Sequence, residues 1–179
     1  MILRNDLDHL LEKSDDCWVS GKERDTKQTL VLHRDIFHQF INHKKFNEDI
    51  IKLIGKYKIS GIVATNTTIQ RPETDNKKSK KVYSEEGGLS GLPLKDRSTE
   101  MIRKIYKMTD GKLPIIGVGG IFTADDAWEK IAAGASLIQL YTGLVFEGPG
   151  IARNIVSGLK KRVASEGFES ISDVIGINA

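Results

Sequence analysis

From Asp49 to the C-terminus two patterns take turns, and this alternation restricts the fold more than any other feature of the chain. Short apolar, partly β-branched runs alternate with longer stretches in which apolar residues recur at three-to-four spacing. The order reads helix, strand, loop, helix, strand, helix, strand, helix. Such an order predicts βα units around a parallel sheet.

The individual signals are local and physical. "DIIKLIGKYK" has the spacing of an amphipathic helix, and Gly61-Ile-Val-Ala64 suits a buried strand. "GGLSGLPLKDRSTEMIRKIYKMTDG" gives a Gly/Ser loop and then a helix with an inner stripe of Met101, Ile102, Ile105, Tyr106 and Met108, stopped at Gly111. "LPIIGV" is the next strand. Thr123 with Asp126 has the form of a capping box, Ala127, Trp128 and Ile131 should face inward, and Gly134 should end that helix. "ASLIQLYT" (135–142) reads as another strand, and a final helix is expected over about 150–164, with Pro149 near its start.

Upstream the signals are weaker. Leu3, Leu7, Leu10 and Leu11 predict a short helix over 3–13, and "TLVL" (29–32) is compatible with a strand. His33, His38 and His43 recur every five residues, which matches no common helix face and no metal geometry. The connection "IQRPETDNKKSKKVYSEEGG" reads as an exposed, mobile loop. Its lysines 77, 78, 80 and 81 have only Tyr83 as an aromatic neighbour and are bracketed by acids, unlike a single-strand nucleic-acid groove.

Composition excludes several classes. A chain of 179 residues, 39% hydrophobic and 28% charged, suits one globular domain. A net charge of +3 is too small to argue for nucleic acid. Cys17, the single cysteine, permits neither an internal disulfide nor a multi-cysteine zinc site. No apolar run reaches the roughly 18 residues that span a bilayer, and the N-terminal stretch has neither signal-peptide nor transit-peptide character.

Each of the strands read downstream of Asp49 carries its unusual residues at its C-terminal tip: Thr65-Asn66-Thr67, Gly117-Val-Gly119-Gly120 and Tyr141-Thr142-Gly143. In α/β proteins ligands sit beyond the carboxyl ends of parallel strands. Gly119 and Gly120 would let backbone N–H groups approach a phosphate, and the helix opening at Thr123 would add positive potential there. A dinucleotide fingerprint fails, because Phe122 stands where its last glycine should be, and no Gly-Lys-Ser/Thr of a P-loop follows. Tight turns without a ligand remain the alternative on local pattern alone.

The segments "GIVATNTT", "EEGGLSGLPLKDRSTEMIRKIY", "PIIGVGGIFTADDAWEKIAAGASLIQLYTGLVFEGP" and "EGFESISDVIG" together resemble dihydroorotate dehydrogenase of the quinone-linked, membrane-associated class, nearly unbroken from about Asp49 to Gly176. The resemblance implies an α/β fold, the C-terminal part of an FMN-binding (βα)8 TIM barrel, here incomplete. It also implies oxidation of dihydroorotate to orotate in pyrimidine synthesis, with electrons passing through FMN to ubiquinone. On the matching positions it implies that Thr65, Ser90, Gly91, Gly119, Gly120, Tyr141 and Thr142 bind FMN. Asn66 and Thr67 would bind the substrate. For a eukaryotic parent it implies the mitochondrial inner membrane, reached through an N-terminal segment.

Residues 1–48 match the family poorly. Where a strand reading roughly Val-Lys-Ile-Ala-Pro-Asp is expected, with a flavin-contacting lysine, "TLVLHRDIFHQF" stands instead. The first four barrel strands, the serine general base and the membrane-docking helices are expected upstream of this sequence, so no catalytic residue is assigned within it and no turnover is expected from the chain alone. Two other readings stay open: an inactive half-barrel or interaction module, and another FMN-dependent barrel oxidoreductase.

Overall fold

The computed structural model describes residues 29–31, 52, 54–57 and 59–179. The helix expected over 3–13, Cys17 and the three spaced histidines lie outside them. Four strands form one sheet in the order β1-β2-β3-β4, every neighbouring pair parallel: β1 (Thr29–Val31), β2 (Gly61–Ala64), β3 (Ile115–Val118) and β4 (Leu137–Gln139). Among the described residues five α-helices are complete: α1 (Lys77–Tyr83), α2 (Lys95–Met108), α3 (Ala124–Ala132), α4 (Thr142–Glu147) and α5 (Gly150–Ser165). Of the helix expected over "DIIKLIGKYK" only part lies within the described residues, and residues 52 and 54–56 are helical. The alternation read from the sequence is therefore the architecture, and β1 falls within the "TLVL" run.

The register explains why the strands are apolar at successive positions. Ala64 pairs with Gly117 and Gly117 with Ile138, a row on the helix-covered face. Val63 pairs with Ile116 and Ile116 with Leu137, a row on the opposite face. Against the first face α2 lays Met101, Ile102 and Ile105 onto Ile62, Ala64 and Ile115, all buried. Complete burial of side chains of this size stabilises by about 1.5–3 kcal/mol each. A second layer joins α3 to α5 and the tail: Trp128, Ile131 and Val174 form one cluster, and Ala127, Ile151 and Ile155 another.

Helix α3 starts as its sequence requires. The Thr123 hydroxyl accepts from the Asp126 N–H, and Asp126 Oδ2 accepts from the N–H groups of Thr123 and Phe122. Gly134 (φ +121°) lies two residues past the end of that helix.

Two expectations are corrected. The connection 69–88 is exposed but is not all loop, because α1 forms within it. Asn76 caps α1, its side chain accepting from the N–H groups of Lys78 and Ser79, and the helix buries no residue. The strand expected over 135–142 is confined to Leu137–Gln139, and Thr142 opens the short helix α4.

Candidate functional site

A cavity of about 310 Å³ opens at the carboxyl ends of β2, β3 and β4. Its apolar floor comes from the strands themselves, through Val63 and Val118. Around it stand Thr65, Asn66, Thr67, Ser90, Gly91, Gly119, Gly120, Tyr141 and Thr142, all nine residues singled out from the sequence.

Four short segments carry them. After β2, Thr65 is buried and its hydroxyl donates to the Asn66 carbonyl at 3.1 Å. The Thr67 N–H donates to Asn66 Oδ1 at 2.7 Å, which fixes the Asn66 side chain and leaves its NH2 group as the donor for a ligand. Thr68 and Leu89 exchange backbone hydrogen bonds of 3.0 and 2.7 Å, so a chain excursion of twenty residues returns Ser90 and Gly91 beside Thr67. Arg71 holds the neck of that excursion: its guanidinium donates to the carbonyls of Thr68, Tyr83, Glu85 and Gly87. The Thr142 hydroxyl, at the first position of α4, donates to Ser90 Oγ at 3.0 Å and ties the last segment to the second.

The glycines are required where they stand. Gly120 has φ +69°, and a Cβ there would lie 2.5 Å from Lys95 Cα and 2.6 Å from Lys95 N. The turn thus lies backbone against backbone on the start of α2. Ser98 steadies it by donating to the Gly119 carbonyl at 3.0 Å.

The helix end expected to serve this corner is not the one the structure offers. The start of α3 is occupied by its own Asp126 carboxylate. It is α4 whose first residues, Thr142 and Gly143, line the cavity, and no side chain caps it. A short extra helix after the last strand is the usual phosphate-binding partner in (βα)8 barrels.

Behind the turn lies a charged layer that the sequence reading missed. Lys95 pairs with Asp126 at 2.7 Å and Glu129 at 3.2 Å. The hydrogen bond to Asp126 raises the Lys95 ammonium above its ordinary value despite its desolvation. Burial works to raise the Asp126 carboxyl, but Lys95 and the N–H groups of Phe122 and Thr123 outweigh it and hold the group below its ordinary value. Lys130 is wholly buried and pushed down to about 8 by that burial; its ammonium donates to the Lys95 carbonyl and the Thr99 hydroxyl. A usable signal existed, since Lys130 is three residues after Ala127 and next to Ile131, within the inward stripe of α3.

A cavity at the carboxyl ends of parallel strands, with a bare glycine turn beside a short extra helix, is the arrangement of part of a (βα)8 barrel. The sequence model of the family described as dihydroorotate dehydrogenase matches residues 40–163. The chain belongs to that family.

Among its relatives, the dihydroorotate dehydrogenase (quinone) of Trichodesmium erythraeum is 58% identical over 132 residues and that of Rippkaea orientalis 55% identical over 137. Both matches cover 72% of this chain and 35% of the relative, so the chain spans about a third of their length. Solved structures of the Eimeria tenella enzyme, one ligand-free and one in complex with ferulenol, superpose with TM-scores of 0.69 and 0.68 at 40% and 38% identity. They cover 76% of this chain, which in turn covers 37% and 35% of theirs. Among the described residues no helix is long and apolar enough to cross a membrane.

Proposed function

We propose that this chain is the C-terminal part of a quinone-linked dihydroorotate dehydrogenase and that its cavity holds FMN together with the pyrimidine substrate. The observation that carries the reading is convergence: nine residues from four separate segments meet around one cavity at the strand ends. The residues fit the cofactor. The Gly119–Gly120 turn is a backbone corner that a Cβ would fill, which suits a phosphate. The Ser90–Thr142 hydroxyl pair suits the same polar end, with Gly91 and Tyr141 beside it. The apolar floor of Val63 and Val118, with Thr65 at its edge, suits a flat aromatic ring.

FMN, when bound, accepts the hydride equivalent released as dihydroorotate becomes orotate. The work of this chain's own residues is to bind and orient. Asn66 presents a fixed amide to the orotate ring, and Thr67 presents its hydroxyl to the carboxylate. Both sit on strand-end backbone, so neither needs reordering when substrate arrives. In this reading electrons leave to ubiquinone, and a eukaryotic parent works at the mitochondrial inner membrane. Relatives named as quinone enzymes support that class over other flavin barrels.

The direct test is flavin binding by the purified chain and by its Gly120→Ala variant, followed by flavin fluorescence. A side chain forced into the turn at φ +69° against Lys95 should weaken FMN binding by roughly tenfold or more. Unchanged affinity in the variant removes the phosphate from this corner, and absence of FMN binding in the parent chain overturns the reading.

A further inference from the structure

Lys130 is the only buried lysine among the described residues, and no carboxylate hydrogen-bonds its ammonium, although Asp96, Asp126 and Glu129 act on it from a distance. Both of its hydrogen bonds run to neutral oxygens, the Lys95 carbonyl at 2.6 Å and the Thr99 hydroxyl at 2.5 Å. The neighbouring carboxylates Asp126 and Glu129 are engaged with Lys95 instead. A buried ammonium without a paired anion is costly, and a fold retains one where something else compensates it.

Its neighbours point to what compensates it. The bond to the Lys95 carbonyl ties the ammonium to the residue against which Gly120 rests. A Cβ at Gly117, at the base of the same turn, would lie 3.4 Å from Lys130 Cβ. Lys130 therefore stands directly behind the glycine turn, on the side away from the cavity. We propose that Lys130 is the buried counter-charge of the phosphate group bound at the Gly119–Gly120 turn, a positioning residue that acts through the first turn of α2 without touching the ligand. The inference rests on the flavin reading and deepens it. In a buried setting two opposite charges attract across a layer of backbone far more strongly than they do in water.

The charged groups facing Lys130 are Lys95 and Asp96 from α2 and Asp126 and Glu129 from α3, while β3 presents only glycine backbone at Gly117. Since burial lowers the Lys130 ammonium to about 8, its charge is present at neutral pH and fades in mildly alkaline solution. That gives the role a signature which simple packing lacks.

The experiment titrates FMN and riboflavin, which lacks the phosphate, into the full 179-residue chain and its Lys130→Met variant at pH values of about 7 and about 9. The expected result at the lower pH is a roughly tenfold loss of FMN affinity in the variant, with riboflavin changed by less than about twofold. The unmodified chain should lose preference for FMN over riboflavin as pH rises between those values, and the variant should not. Equal losses for both flavins, or a preference in the unmodified chain that does not move with pH, overturn the inference and leave the flavin reading intact. The second measurement needs no variant, so it decides the matter even where Lys130→Met does not fold. Failure of the unmodified chain to bind FMN overturns the flavin reading and this inference together.

Discussion

The two faces of the sheet are both largely apolar and are covered to different extents. On the face carrying Ile62, Ala64 and Ile115, helix α2 closes the layer and those residues are entirely buried. On the other face, exposure rises along the paired row from Val63 at 9% through half-buried Ile116 to Leu137 at 61%. Purely parallel sheets occur with both faces covered, because their crossover helices and barrel closure leave neither to water. The apolar character of the second face is thus a requirement written into the strands that the described residues meet only partly. That agrees with a chain spanning about a third of its relatives' length.

Substitutions on the two faces test the contrast. Ile102→Ala, on the closed face, should cost about 2–5 kcal/mol by leaving a cavity that α2 and the sheet do not collapse to fill; denaturant unfolding reads it directly. A cost below about 1 kcal/mol would mean the closed face is loosely packed and the contrast overstated.

Asp126→Asn addresses the join between α2 and α3 at the edge of that face. It removes the charge that pairs with Lys95 and caps α3, and should cost about 1–2 kcal/mol at neutral pH. Folding lowers the Asp126 carboxyl below its ordinary value of 3.8. Its contribution is therefore complete above that value and is lost as pH falls through the lower folded-state value. The unfolding midpoint of the variant should approach that of the unmodified chain in this acid range, and a constant gap across it would assign the cost to packing. The smallest effect is expected at the open end of the row, where Leu137→Ser should change stability by less than about 0.5 kcal/mol. A loss comparable with that of Ile102→Ala would show the second face to be covered after all.

What was legible in the sequence follows from where the physics is local. The β2 run ends at Ala64 because Thr65-Asn66-Thr67 follows it, and the capping box at Thr123 uses atoms three residues apart. Strand tips could be grouped into one site because parallel strands bring their carboxyl ends together. Helix α1 was not legible, since a helix that buries nothing has no apolar period to read. Helix α4 was missed for its length: six residues, Thr142–Glu147, are too few to show a period, and the apolar letters around Tyr141 looked like more strand. Lys130 escaped because a lysine within a helix reads as solvent-facing, and its oxygen acceptors on α2 are distant in sequence.

The Arg71 clamp has a bearing on how much this part of the chain can change in length. By fastening Thr68 at one side of the neck and Tyr83, Glu85 and Gly87 at the other, a single guanidinium isolates the tip that includes α1 from the strand end that carries Thr67. Lengthening a surface loop costs little, as each doubling adds only about 0.6 kcal/mol of closure entropy. A change in the length of the tip should therefore cost little stability while Asn66, Thr67, Ser90 and Gly91 keep their places. One arginine divides a segment whose length is of little consequence from one whose position shapes the cavity.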